Sequence, residues 1–482
     1  RDKFFENAAT SDIIAEETKN NFNATTYEQK KNLDTLEKVR EKLDERGNDM
    51  IEEWKTKTKK FTDEDVALGA ILIERYQQQG DYKSAARAVE KLADIGTEAG
   101  RAVQMYSIFQ RLTPETMMLY QQKALNRAFE EMKEKKTGKW VEANKERFQL
   151  NEDDIKFIKE TVENASQMVD ETEKQRELSK IERRINEKLP PDAGDAVKAL
   201  RRMAMLFNPK TQVRNFAGNA TIIPVNAVAD FVGTQIDKAV AKKTDIRTTN
   251  YMSPSAMARG GKKGLMDAIQ DARTGTRSST TGEKWEFEFG AKPFNEKTDN
   301  ELQNKINKGL NKLNEALSNI MSGGDRPFRE AAYLNSLEGQ MKANNVTEPT
   351  QEMKDIAANE AAQRTWNDTN SYTKAVIDIR NAMNKINVRG FGLGDLIIPF
   401  AKTPANLTKA MVEYSPVGFI PAYLKYNDMN RAISRGEMTA QQQKNFVNST
   451  SKAIAGTLLY AIAGTLAKSG RITGSADKDK DV

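Results

Sequence analysis

Apolar residues recur at intervals of three and four along most of the chain, the spacing that gathers them on one face of an α-helix. Over residues 1–60 they are sparse among many charges (Ile13, Ile14, Leu33, Leu36, Val39, Leu43, Ile51, Trp54), which predicts partly solvated helix. The pattern strengthens at Thr62-Asp-Glu-Asp, an N-cap with an acidic first turn, followed by Val66, Leu68, Ile71, Leu72 and Tyr76. Gly80-Asp81-Tyr82 breaks that helix, and the alanine-rich stretch from Ala85 to Ala93 opens another. Thr113-Pro114-Glu115 sets proline at a first helical position, and Asn151-Glu-Asp-Asp caps a helix with a stripe from Ile155 to Val169. Leu189-Pro190-Pro191 then ends an N-terminal helical domain over 1–190.

Residues 191–290 read as a basic, partly irregular middle section. Phe207-Asn-Pro-Lys-Thr211 is a turn signature, and a small-residue apolar run follows from Ala220 to Val232. Arg259-Gly-Gly-Lys-Lys-Gly264 and Arg273-Thr-Gly-Thr-Arg277 have the composition of loops. Trp285, Phe287 and Phe289 alternate with glutamates, the one two-residue period in the chain and a candidate short ribbon.

The third section, 291–482, is again helical. Leu302, Ile306, Leu310, Leu313, Leu317 and Ile320 form a seam that must face another helix, in the fold or in a partner chain. An alanine-rich helix follows at Ile356–Trp366, and the closing stretch is the most apolar, ending in a hairpin that includes Ala453–Ala467. In helix that last run spans about 22 Å, short of the roughly 30 Å of a hydrocarbon core. Ile454, Leu458, Leu459, Ile462 and Leu466 supply its bulk; Gly456 and Gly464 allow close helix approach. It is either a buried helix or a segment that enters or lies on a membrane. The fold expected is all-α and elongated, with little or no β structure.

Composition narrows the chemistry. Apolar residues make up 38% and charged residues 30% of 482, so the chain can bury cores but exceeds a single ordinary one. With no cysteine and no histidine, disulfides, thiolate zinc sites and Ser-His-Asp or Cys-His nucleophiles are excluded. Among its 69 acids no pair stands out; Glu338, Glu360 and Asp368 have ordinary helix-surface spacing, so no catalytic, cofactor or metal site is expected. Gly260-Gly-Lys-Lys-Gly264 lacks the spacing and preceding strand of a phosphate loop, and Gly390-Phe-Gly-Leu-Gly394 reads as a joint. The chain opens on Arg1 with no apolar leader in residues 1–20, so a piece of a longer protein is expected.

Charge is uneven. Residues 195–280 hold 14 Lys/Arg and 6 Asp/Glu, an excess of +8 against +6 for the whole chain. Arg201, Arg202, Lys210, Arg214, Lys242, Lys243, Arg259, Lys262 and Lys263 are candidates for sequence-independent contact with DNA phosphates or anionic lipid. The alternative is a solvated linker with surplus lysine.

Several stretches resemble the helical regions of large polyvalent proteins of tailed bacteriophages and their polyvalent-protein-associated domain. They are Gly80-Asp81-Tyr82 with Thr97–Gly100 and Arg111–Glu115, then Leu206–Asn215 with Gly218-Asn219, and Gly324-Asp-Arg-Pro-Phe328. Pro399–Asn406 through Tyr414-Ser-Pro416, and Ala455-Gly-Thr457 through Ile472-Thr-Gly474, belong with them. The resemblance implies a non-enzymatic internal virion (ejection) protein, delivered to the host envelope with the genome. Its implied partners are portal or internal virion proteins, further copies of itself, DNA contacted without base readout, and the host membrane. The alternatives are a purely structural scaffold, portal or capsid-associated protein, or a helical interaction module of a larger phage enzyme.

Overall fold

A computed structural model describes residues 38–57, 63–95, 108–133, 137–191, 196, 199–200, 203, 209–278, 290–368, 370–385, 387–388, 391–392, 402–436 and 438–471. Fifteen α-helices lie among the described residues, and the protein is all-α. Its one β element there is a two-residue antiparallel hairpin pairing Asn387–Val388 with Phe391–Gly392. The candidate ribbon at Trp285, Phe287 and Phe289 lies outside the described residues, as does Thr62.

Caps decide where the N-terminal helices begin and stop. They are α1 (Asn48–Thr56), α2 (Asp63–Gln78), α3 (Tyr82–Ile95), α4 (Pro114–Lys133), α5 (Gly138–Asn144), α6 (Glu152–Ser166) and α7 (Glu171–Lys188). Asn151 and Asp154 form a reciprocal capping box at the head of α6, satisfying two otherwise unpaired N–H groups. Asp170 caps α7, which ends at Lys188 before the two prolines. Val39, Leu43, Trp54, Leu72, Leu92, Leu112, Leu125, Phe148, Ile158 and Ile181 are drawn from across this half and share one apolar core. Trp54 also donates its indole N–H to the Asp65 carbonyl at 2.8 Å.

The second half is built on long helices. Pro209 opens α8 (Pro209–Thr244), so the expected turn at Phe207–Thr211 is in part the first turn of a helix. Next come α9 (Pro254–Thr274) and the 44-residue α10 (Glu301–Asn344), about 66 Å long. These are followed by α11 (Gln351–Arg364), α12 (Ser371–Asn384), α13 (Lys402–Glu413), α14 (Phe419–Arg435) and α15 (Ala440–Lys468). Helix α8 lies along α15, α9 along α10, and α14 and α15 form the closing hairpin.

The basic run 259–264, expected as loop, is the middle of α9. Ser253 caps that helix, Pro254 sits in its first turn, and Gly275 ends it in the left-handed conformation at φ +60°. Its glycines serve packing: a Cβ on Gly260 would lie 2.3 Å from the Glu330 carbonyl oxygen, and one on Gly264 2.7 Å from that of Arg326. Two glycines four apart let α9 touch the backbone of α10, and that contact offsets glycine's helix cost of roughly 1 kcal/mol.

Candidate functional site

Two features of the α13–α14–α15 end stand out, one buried and one exposed. The buried one begins with Glu360 and Arg364, a turn apart on α11, a helix whose Ala357, Ala358, Ala361 and Ala362 are also buried. Arg364 donates to Glu360 and to Asp230 of α8, each at 2.5 Å. Lys444 of α15 reaches Glu360 at 2.8 Å and donates to the Thr249 hydroxyl at 3.0 Å. The expectation of a surface position for Glu360 is thus corrected: it is 5% exposed, in an ion-paired core. Asp368 is likewise paired, with Lys409 at 2.7 Å, whereas Glu338 does sit at the surface beside Arg259.

One turn along, a second cluster surrounds Glu413. Lys452 lies 2.9 Å from its carboxylate and Lys409 3.8 Å, while Lys425 donates to Ser449 at 2.5 Å. Tyr414 donates its hydroxyl to Asn226 of α8 at 2.8 Å, and Asn406 donates to the carbonyls of Trp366 and Asp368. Between these groups is a cavity of about 30 Å³, lined in part by Asp230, Arg364, Asn406 and Glu413. That is room for about two water molecules.

The electrostatics follow from the geometry. Burial works to raise the Glu360 carboxyl, but Lys444 and Arg364 outweigh it and hold the group well below its usual range. Asp230 goes the other way: burial raises it, with the neighbouring Glu360 charge adding to the effect against Arg364. Its Oδ2 has no hydrogen-bond partner. Around Glu413, burial is again outweighed, by Lys452, Lys409 and Lys425, which bring the carboxyl down to about 2. Lys425 is pulled down to about 8 by its own burial, against the attraction of Glu413. The carboxylates are held by cations, and among the described residues no three acids are grouped as metal ligands.

The exposed feature is the far end of α15. Ile454 and Gly456 lie within the fold; a Cβ on Gly456 would come 2.2 Å from the Tyr414 carbonyl, so helix and turn touch there. Beyond it α15 runs on to Lys468 for about 18 Å. Leu458, Leu459, Tyr460, Ile462 and Gly464 are exposed there, and Leu466 is half-buried. At 100° per residue Leu458, Leu459, Ile462 and Leu466 gather within about 100° of arc, an apolar stripe, while Thr457, Ala461, Gly464 and Lys468 lie on the opposite side. Its threonine hydroxyls are internally bonded, Thr457 to the Ala453 carbonyl at 2.7 Å and Thr465 to that of Ala461 at 2.9 Å. At its base, Val417, Phe419, Ile420, Tyr423 and Leu424 of the preceding turn and α14 are also exposed. Among the described residues, no helix is long and apolar enough to cross a membrane.

The remaining sequence candidates are scattered. Arg201 and Arg202 lie outside the described residues; Lys210 and Arg214 fall in the first turns of α8, their side chains undescribed. Lys242 and Lys243 are exposed in the last turn of α8, where positive charge complements the helix dipole. Arg259 pairs with Glu338 at 2.6 Å and Lys263 with Asp267 at 2.7 Å, leaving Lys262 exposed between them. The seam divides: Leu310 and Leu317 join a cluster with Ala199, Met203 and Phe294, whereas Leu302, Ile306 and Leu313 face solvent. The side chain of Ile320 lies outside the described set.

Sequence reading passed over Asp230, Arg364 and Lys444. The signal at hand was α11 itself, where Ala357, Ala358, Ala361 and Ala362 form a buried small-residue face beside Glu360 and Arg364. No protein-family model matches the chain, and no curated protein or solved structure is similar to it.

Proposed function

We propose that the chain is a non-enzymatic internal virion protein of a tailed bacteriophage, an ejection protein that oligomerises and helps genome DNA cross the host envelope. The observation that carries this reading is the protruding apolar end of α15, with its base on α14. Left in water, the exposed stripe of Leu458, Leu459 and Ile462 is unfavourable by roughly 25 cal/mol per Å² of apolar surface. Lying in the boundary between headgroups and acyl chains, it would bury that surface while Lys468 and Arg471 reach lipid phosphates. The ion-paired core behind it fixes the base of the hairpin on α8 and α11. Glu360 and Glu413 are neutralised by lysine and arginine, an arrangement suited to holding helices together.

Flotation with vesicles containing phosphatidylglycerol tests the reading. Leu459→Asp with Ile462→Asp alters only exposed positions, so the fold stays intact while bound protein falls by about tenfold, since charge at the interface opposes insertion. Equal flotation of variant and wild type would overturn membrane action.

The exposed half of the α10 seam favours a second reading, a structural virion protein held by contacts with neighbours. Ile306→Asp would then abolish assembly, and the α15 double variant would assemble normally.

A further inference from the structure

Helices α9 and α10 touch at Gly260 and Gly264, are still close at Gly323, whose Cβ would lie 3.4 Å from that of Ala268, and then diverge. The wedge between them is an open groove of about 740 Å³. Leu265, Ala268, Ile269 and Ala272 line one wall and Ala316 and Gly323 the other. Leu265 and Ile269 are exposed, so apolar surface faces water along its length.

The rims are basic on both sides. Arg273 and Lys312 line the groove, Lys262 stands one turn from Leu265, and Lys308 one turn from Lys312. Among the described residues, none of these four has an ion-pair partner. The one acid in the wall, Glu315, is already held by Arg183 at 3.0 Å.

We infer that this groove receives an acidic amphipathic helix from another protein. Lys312 to Gly323 spans about 16 Å, three turns of an incoming helix. An apolar stripe on that helix fills the wedge, and glutamates or aspartates beside the stripe meet the two rims. A flat bilayer does not reach the walls of a wedge, and a second copy of this face would set lysine against lysine. None of the groove residues belongs to the end of α15, so the inference stands apart from the membrane reading.

The test is fluorescence anisotropy with the full chain and a labelled peptide of about 15 residues, leucine on one helical face and glutamate on the flanks. The same peptide with lysine in place of glutamate, and a short DNA duplex, are the comparisons. The expected result is binding of the acidic peptide alone, weakened about tenfold by Arg273→Glu with Lys312→Glu and about tenfold by Ala272→Glu. Circular dichroism checks that each variant keeps its helices. The charge-reversed variant alters exposed side chains only, so it folds even if Ala272→Glu does not. Absence of binding, equal binding of the lysine peptide, or indifference to Arg273→Glu with Lys312→Glu would overturn the inference. Duplex DNA binding through the same two residues would overturn it too, and assign the rims to nucleic acid.

Discussion

Glu360 and Arg364 show how one spacing can carry two meanings. Four residues apart on an isolated helix, they would form a surface pair worth a few tenths of a kcal/mol. Here Asp230 approaches from α8 and Lys444 from α15, and the pair becomes the centre of a buried network. Removing one partner from such a network leaves uncompensated charge, so Arg364→Met should cost about 3–5 kcal/mol, read as a lower urea midpoint. A loss near zero would mean that the carboxylates find other partners or water. Glu413 gives the pH dependence. Its folded pKa of about 2 lies below the ordinary value of 4.5, so its stabilising contribution is complete above about 4.5 and declines as pH falls toward 2. Wild type should therefore lose stability between pH 5 and pH 3 by about 1–3 kcal/mol more than Glu413→Gln, measured by urea titration. Parallel profiles for the two proteins would exclude this role for Glu413.

Elements were legible where local chemistry sets them. Pro114, the Asn151–Asp154 box and the proline pair after α7 all mark real ends, because caps and proline act within a few residues of their own position. The 259–264 stretch was not legible, because whether a glycine interrupts a helix depends on what lies across from it. In α9 the answer is the α10 backbone, which no local pattern reveals. The two situations predict opposite outcomes for one substitution. Gly264→Ala puts a methyl group 2.7 Å from the Arg326 carbonyl oxygen and should destabilise by about 1–3 kcal/mol despite alanine's better helix propensity. Gly309→Ala, on the open side of α10 with nothing within 4 Å, should stabilise by about 0.5–1 kcal/mol. Thermal denaturation of both variants checks this, and a shift of the same sign would contradict the contact at Gly264. The apolar run of α15 divides for a similar reason. Its spacing looks uniform from Ala453 to Ala467, but Tyr414 covers only the first turn, up to Gly456.

For the whole molecule, the charges of the middle section are partly internal wiring, its acids taking cations from both sides. Arg247 pairs with Asp237 at 2.8 Å, and Arg326 on α10 pairs with Asp271 on α9 at 2.5 Å. Asp271 in turn accepts from Arg176 of α7 at 2.7 Å, while Asp267 accepts from the same guanidinium at 2.8 Å. Both arginines are nearly buried, at 6% and 4% side-chain exposure, and their two acids come from one helix. This cluster ties the apolar core of the first half to the long helices of the second across sequence separations that no periodicity encodes. It also gives Arg326 a structural task. Asp271→Ala would leave two buried guanidinium groups sharing Asp267, with Glu173 as the other acid on Arg176. The cost expected is about 3–5 kcal/mol. Because the first half keeps the core from Val39 to Ile185, the loss should fall on the connection. Scanning calorimetry should then resolve two transitions where the wild type gives one. A single transition moved to lower temperature would show instead that the halves unfold as one unit whether or not this cluster is intact.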